Sequence, residues 1–420
     1  MTNSARALRL LFFSNVFPNP LAPNKGMFNR SLIRALAAEH PLRVVSPISW
    51  WDEAIARWTR KKRIHRRQIH LVDSVRTSYP RFYYPPKILR SFYDFFLSRS
   101  TRAELDRVIA QFRPQAILSY WAHPDGTVAV ETARRHRIPS VVMVGGSDVL
   151  LLAKNASRRR VILSTLENAD AVVAVSDDIK CKLIEAGIVA DRLHVIKRGV
   201  DTHVFRPLSG DDARRRLKIP HGVPVLVTAG RLVPVKGLSD LLNACYALRQ
   251  RDVSLRVYIA GDGPLRGELE RQRNHLGLTD VVQFVGSQTQ EQLADWYRAA
   301  DYVVHPSLSE GIPNVLLEAM HCGARFIASR VGGIPEIADP NFDRLVPARD
   351  PAALANAIEE QLQIPLYPGP RWFLPQTWEN SADQIVQIIR QCRFECSSPR
   401  QPALNDKHET VQRPVSADAR

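Results

Sequence analysis

The chain is poor in the features that would mark a disulfide-stapled or membrane-spanning protein. Its 420 residues include five cysteines, Cys181, Cys245, Cys322, Cys392 and Cys396, with no CxxC pair. An odd count at such spacings builds neither a disulfide framework nor a zinc site, so the thiols read as free. Long hydrophobic runs are also missing. Apolar stretches such as 141–144 and 149–153 are bounded by Gly, Ser and Asp and fall far short of the roughly 20 residues a bilayer span requires. Arg6 and Arg9 flank a short apolar stretch that ends at Asn15 and a proline-rich turn, without the h-region and cleavage site of a secretory signal. A cytoplasmic protein is expected. The turn after the first expected strand, Ser14-Asn15-Val16-Phe17-Pro18, contains no GxGxxG, which argues against a dinucleotide oxidoreductase. No short-period repeat is visible, which excludes a solenoid.

What remains is an ordinary globular composition, 45% hydrophobic and 24% charged, on a chain too long for one compact core. The net charge of +16 is unevenly placed. Residues 1–206 carry 34 Lys and Arg against 17 Asp and Glu, whereas residues 207–420 carry 24 against 25. Such a one-sided field attracts phospholipid, nucleic acid or a phosphorylated acceptor, and charge alone does not choose among them.

Short β-branched runs alternate with helical patterns throughout. In the first half strands are expected at 10–14, 43–47, 116–120, 140–144, 171–175 and 194–197, with helices at 27–38, 97–112 and 127–136. The rhythm restarts near Pro224, with strands at 225–229, 255–260, 281–285, 302–305, 325–328 and 344–346. Repeated βαβ units predict parallel sheets covered on both faces. The Pro- and Gly-containing stretch 204–223 is the expected join. We therefore divide the chain into domains 1–206 and 207–375, a C-terminal helix 376–396 that packs back on the first domain, and a disordered tail 397–420.

The densest chemical signal is Ser307-Leu308-Ser309-Glu310-Gly311-Ile312-Pro313-Asn314-Val315-Leu316-Leu317-Glu318. Pro313 suits the first position of a short helix and Gly323 the residue just past its end, which puts Glu310 in the preceding loop and Glu318 on the helix. The start of a helix attracts anions through its unpaired N–H groups and dipole. A loop carboxylate there would repel phosphate and is better suited to accepting hydrogen bonds from sugar hydroxyls. The second signal is Gly230-Arg231-Leu232-Val233-Pro234-Val235-Lys236-Gly237, after the first strand of the second unit. Two cations at that sheet edge can hold a diphosphate and stabilise its growing charge as it leaves. In isolation, each of these residues is also what an ordinary solvated surface would present.

Glu310 and Glu318, with seven residues between them, resemble the EX7E motif of the family-four retaining glycosyltransferases. GRLVPVKG, GDGPLRGELE, VGGIPEI, RGVDTHVFRP and LVPARDPAALANAI are similar to further motifs of that family, in the same order, and the resemblance covers residues 170–364. It implies a GT-B fold, two Rossmann-like doubly wound parallel-sheet domains facing across a cleft. It also implies a nucleotide diphosphate sugar donor (UDP or GDP), retention at the anomeric carbon, and neither metal nor cofactor, the nucleotide sugar being a substrate. Carried onto this sequence, Arg231 and Lys236 would contact the diphosphate, Glu310 the transferred sugar and Glu318 the ribose. Backbone groups of Gly311, Ile312, Pro313, Asn314 and Val315 would contact sugar and phosphate through their N–H, and His123 would face the donor sugar from the first domain. In the first loop the chain has Lys25-Gly26 where many members carry a glycine pair, leaving one glycine to approach the diphosphate and Lys25 as an extra cation. Gly145-Gly146-Ser147-Asp148 likewise replaces a frequent His-Gly-x-Asp.

The acceptor is expected to be a saccharide or lipid-linked saccharide, in cell-surface polysaccharide or glycolipid synthesis. Trp50-Trp51, the cations from Arg57 to Arg63, and eight aromatics among Arg81, Lys87, Arg90 and Arg99 in 79–99 suit a face lying on an anionic membrane. They equally suit a helix whose rings pack inward while its cations are solvated. No nucleic-acid module is visible, and no nucleic-acid partner is expected. The same fold could instead serve an epimerase, a phosphorylase, or a non-catalytic nucleotide or nucleic-acid binder.

Overall fold

The computed structural model describes residues 7–60, 70–85, 92–150, 155–220, 222–364 and 370–397. Among the described residues, ten strands belong to the first half: β1 (Leu10–Phe13), β2 (Leu42–Val45), β3 (Ile48–Ser49), β4 (His70–Val72), β5 (Val75–Ser78), β6 (Arg81–Phe82), β7 (Ala116–Tyr120), β8 (Ser140–Val144), β9 (Ala171–Ala174) and β10 (Leu193–Val195). Eight of them form one sheet in the order β10-β9-β8-β7-β1-β2-β5-β4, while β3 and β6 pair separately. Six strands, β11 (Val225–Ala229), β12 (Arg256–Ala260), β13 (Val282–Gly286), β14 (Tyr302–His305), β15 (Arg325–Ser329) and β16 (Arg344–Val346), form the second sheet in the order β13-β12-β11-β14-β15-β16. Both sheets are parallel except at one edge, where β4 runs antiparallel to β5. The strands β3 to β6 were not anticipated. They are two to four residues long and partly polar, so they lack the continuous apolar signature of strands buried on both faces.

That signature is explicit in β1, where Leu10 and Phe12 enter one core while Leu11 and Phe13 enter the core on the opposite face. In β11, Val225, Val227 and Ala229 face one layer and Leu226 the other. The Trp378–Ser397 helix places Trp378, Ile385, Val386 and Ile389 in the same core as Leu10, Leu32 and Leu36, so the last described helix packs on the first-domain helix Met27–Glu39.

The expected join is not bare linker. Val200 and Phe205 already pack in the second-domain core, and the stretch after them contains a helix, Gly210–Leu217, capped by Ser209. The chain crosses beside its own return: Val200 N–H donates to Gln376 O at 2.9 Å. Gly199 permits this approach, because a Cβ there would lie 2.4 Å from Trp378 N. The tail beyond residue 397 and the basic residues 61–63, with Lys87 and Arg90, lie outside the described residues.

Candidate active site

Two loops at the carboxyl edge of the second sheet meet because glycines let their backbones touch. After β11, Gly230 (φ 147°) leads through Arg231 to a short 3-10 turn, Pro234–Lys236, and Gly237 (φ 62°) opens the helix Leu238–Gln250. A Cβ on Gly237 would sit 2.0 Å from Pro306 O, and one on Gly261 would sit 1.9 Å from Gly230 O. Leu308 N–H donates to Val235 O at 2.8 Å, joining the loop after β14 to the cation loop.

This contact brings Lys236 to Glu310. Lys236 Nζ lies 2.5 Å from Glu310 Oε1, and His305 Nε2 lies 2.9 Å from the same oxygen. Burial alone would raise the Glu310 carboxyl, but the Lys236 charge and the His305 hydrogen bond outweigh it and hold the group well below the usual carboxylate range. Burial lowers His305, with Lys236 adding to the effect and Glu310 opposing it. An ionised carboxylate only accepts, so the imidazole proton sits on Nε2 and points at Glu310. His305 did not stand out in the sequence. Its one signal is its position at the end of β14, in the run that leads to Glu310.

The next helix is Asn314–His321, with Pro313 outside it at ψ 126° as the N-cap. The start is thus one residue later than expected, because Pro313 is extended. Proline has no N–H, so position 313 cannot be a donor, contrary to the expectation from the resemblance. Gly311 and Ile312 are buried at the approach, and Asn314 and Val315 begin the helix part-exposed. Glu318 points elsewhere than the Lys236 pair: its Oε2 accepts from Tyr297 OH at 3.3 Å, and burial pushes its carboxyl up to about 8.

The first domain approaches this loop closely: a Cβ on Gly146 would lie 2.8 Å from Gly311 N, and one on Gly311 2.6 Å from Gly145 O. Within the second domain, a Cβ on Gly332 would lie 1.9 Å from Glu310 O. Glu336, in the VGGIPEI segment, crosses the seam and accepts from the N–H groups of Asp177 and Asp178 at 3.1 and 2.9 Å, capping the Asp177–Glu185 helix of the first domain.

The first domain holds a cavity of about 460 Å³ lined by Lys25, Trp51, Tyr84, Trp121, His123 and Arg158, among others. His123 is buried, with Nδ1 3.4 Å from Thr127 Oγ1. Burial lowers Lys25, Asp125 and Asp52 oppose this, and the field of Arg231 across the cleft lowers it further. Asp125, also unforeseen, is fully buried, accepts from Ser14 Oγ and Asn15 N–H at 2.9 Å each, and is pushed up to about 7 by burial. Gly26 is constrained by its own domain: at φ 65°, a Cβ would meet Val16 O at 2.3 Å. The tight packing at Gly26 is thus explained by the turn into Met27–Glu39 without invoking a ligand.

The aromatic segment divides. Tyr79 and Phe82 are buried, Tyr84, Tyr93 and Phe96 pack against the core, and Tyr83, Phe92 and Phe95 are exposed. On the Trp50–Arg60 helix, Trp51, Ile55 and Trp58 are exposed at helical spacing, Trp58 by 87%.

Two doubly wound parallel-sheet domains that meet beside the Lys236–Glu310 pair and the start of the Asn314–His321 helix are the architecture of a GT-B glycosyltransferase. Comparison with known proteins gives the family. The profile for "Glycosyltransferase Family 4" matches residues 26–204 and that for "Glycosyl transferases group 1" matches residues 223–363. A D-inositol 3-phosphate glycosyltransferase from Nocardiopsis dassonvillei is 32% identical over 301 residues, 65% of this chain and 69% of that protein. A D-inositol 3-phosphate glycosyltransferase 2 from Catenulispora acidiphila is 36% identical over 211 residues, with 48% of this chain and 49% of that protein covered. The chain thus spans about half of that second relative. Among solved structures, sucrose-phosphate synthase from Thermosynechococcus elongatus superposes with a TM-score of 0.72 at 23% identity, covering 94% of this chain and all of that one. Anabaena HepE in complex with UDP and glucose superposes at 0.66 and 19% identity, covering 93% and 99%. These two likenesses speak to the GT-B fold. The chain belongs to the family-four glycosyltransferases.

Proposed function

We propose that this protein is a retaining glycosyltransferase that moves a sugar from a UDP or GDP donor to a saccharide or lipid-linked saccharide held in the first-domain cavity. The observation that carries the reading is the Lys236–Glu310–His305 constellation, set between the Arg231 loop and the start of the Asn314–His321 helix and facing the His123 cavity. Arg231, Lys236 and the helix N–H groups bind the diphosphate and stabilise the charge that grows on it as the anomeric bond breaks. Lys25, across the cleft from Arg231, is a third cation for the same group. Glu310, kept ionised, accepts hydrogen bonds from the transferred sugar. Glu318 accepts from the ribose hydroxyls, and His123 orients the sugar from the acceptor side.

The rings of Trp51, Tyr84 and Trp121 offer faces for a saccharide, while Lys25 and Arg158 can take an anionic substituent. The relatives named for D-inositol 3-phosphate make phosphorylated cyclitols a first choice of test acceptor. The exposed Trp51, Ile55 and Trp58, followed in the sequence by Arg60, Lys61, Lys62 and Arg63, support peripheral docking on an anionic inner membrane face. No described helix is long and apolar enough to cross a membrane.

The test is a thermal-shift screen against UDP, GDP, ADP and their sugars. A ligand at a hundred times its dissociation constant adds about 2.7 kcal/mol of stability. Stabilisation by one nucleotide class names the donor, and stabilisation by none contradicts the proposal.

A further inference from the structure

We infer that Arg198 is a positioning residue for the donor site, acting through Asn314. The inference rests on the reading that the start of the Asn314–His321 helix receives the donor. Arg198 lies in the segment that joins the two domains, yet its guanidinium reaches both. Its carbon sits 4.4 Å from the ring centroid of Phe28 and 5.6 Å from that of Tyr120, and Nη2 donates to Tyr120 OH at 2.5 Å. Nη1 donates across the seam to Asn314 Oδ1 at 3.0 Å. Phe28 belongs to the helix that starts just after Lys25-Gly26, and Tyr120 ends the strand that leads to His123. One side chain therefore ties both first-domain segments of the site to the first residue of the second-domain helix.

Electrostatically the placement is costly without a ligand, since a cation beside a helix N-terminus faces the positive end of the dipole. Two ring faces and two hydrogen bonds hold it there nonetheless. Its chemistry also fixes the Asn314 amide. A guanidinium can only donate, so the amide must turn its oxygen to Arg198, which leaves the NH2 as the group able to donate to whatever docks at the helix start. The amide and the helix N–H groups then form one set of donors suited to a phosphate or a sugar oxygen. Gly145 fits this account. A Cβ there would lie 1.9 Å from Tyr120 OH and 2.6 Å from Arg198 Nη2, so the glycine leaves the space in which the guanidinium is stacked.

The experiment is a double-mutant cycle read by steady-state kinetics and nucleotide titration. The wild type is first titrated with UDP and GDP. Arg198→Ala and Asn314→Ala should each lower donor kcat/KM by about tenfold or more, the loss expected for a hydrogen bond to a charged group. The double variant should be no worse than the poorer single one, because both changes remove one unit. Arg198→Lys, which keeps one donor within reach, should recover part of the loss. Gly145→Ala, which crowds the guanidinium and leaves every donor in place, should reproduce the defect in the wild type but not in the Asn314→Ala background. A structural strut would give a different pattern: a lowered thermal midpoint for Arg198→Ala with kinetics intact in the folded fraction, or losses that multiply. Either result, or an inert Asn314→Ala, overturns the inference while wild-type nucleotide binding stands. Absence of wild-type binding to either nucleotide removes the reading beneath it.

Discussion

Replacing Glu310 by Gln should make the protein bind nucleoside diphosphate more tightly while it loses turnover. In the free protein Lys236 Nζ is 2.5 Å from Glu310 Oε1, with side chains 22% and 14% exposed. A diphosphate must compete with that carboxylate for the ammonium. A hydrogen bond to a charged group is worth about 1.5–3 kcal/mol net. Because both groups keep some water, we take the lower end, about 1.5 kcal/mol, or roughly tenfold in affinity. Glutamine keeps an oxygen for the His305 Nε2–H and removes the charge. Calorimetric titration of Glu310→Gln with UDP or GDP should therefore show a dissociation constant about tenfold lower than wild type. Transfer from the sugar donor should fall roughly a hundredfold, because a charged acceptor for the sugar hydroxyls is gone. Unchanged or weaker nucleotide binding would refute the reasoning, since Lys236 would then not be shared between the carboxylate and the donor. The reciprocal Lys236→Ala leaves a largely buried carboxylate without its cation and should destabilise the protein by about 2–3 kcal/mol, below the range for fully buried pairs because both groups are partly hydrated. Glu310 is depressed in the fold, so its contribution is present above its unfolded value near 4.3 and is lost as pH falls below it. The stability gap between wild type and Lys236→Ala should narrow below about pH 4.

Three further outcomes follow from the same geometry. Glu318, raised to about 8 by burial, stabilises the fold when protonated, a contribution present below about pH 4.3 and lost as pH rises through 8. Glu318→Gln should accordingly gain thermal midpoint over wild type at pH 9 compared with pH 5, and the wild-type donor KM should fall between pH 6.5 and 9 while that of the variant stays flat. Full activity in excess EDTA is expected, because cations and a helix start supply the charge a metal would bring, and loss of activity with rescue by Mg²⁺ or Mn²⁺ would contradict it. The protein should sediment with anionic vesicles and be released near 1 M salt, where the Debye length is about 3 Å, with Trp58→Ala weakening the association. Equal sedimentation with neutral vesicles would reject an electrostatic attachment.

Most of the architecture was legible because strands buried on both faces announce themselves: β1, β7, β8, β9, β11, β14 and β15 are mostly apolar, buried throughout, and lie where the runs placed them. Short, partly polar strands carry no such mark, which is why β3 to β6 went unseen. Lys236 and Glu310 were each readable from motif spacing, but their pairing across 74 residues depends on the close approach of Gly237 to Pro306. His305 and Asp125 are ordinary strand-end and loop residues until burial and neighbours change their chemistry. The helix Gly210–Leu217 within the expected join went unread because Pro207, Gly210, Pro220 and Gly222 look like linker, whereas Ser209 caps a helix whose Ala213 is seated in the second core. The aromatic stretch 79–99 resisted a single reading because its rings divide between core and surface, which depends on how the Tyr93–Phe112 helix packs against β6.

The most direct measurement is the anomeric configuration of the product formed from UDP- and GDP-hexoses with a panel of saccharide, cyclitol-phosphate and lipid-linked acceptors, read by the proton coupling at the anomeric carbon. The account predicts stoichiometric release of one nucleoside diphosphate and an α-linked product from an α-linked donor. An inverted linkage, or no nucleotide release from any donor under conditions where the protein binds nucleotide, would contradict it.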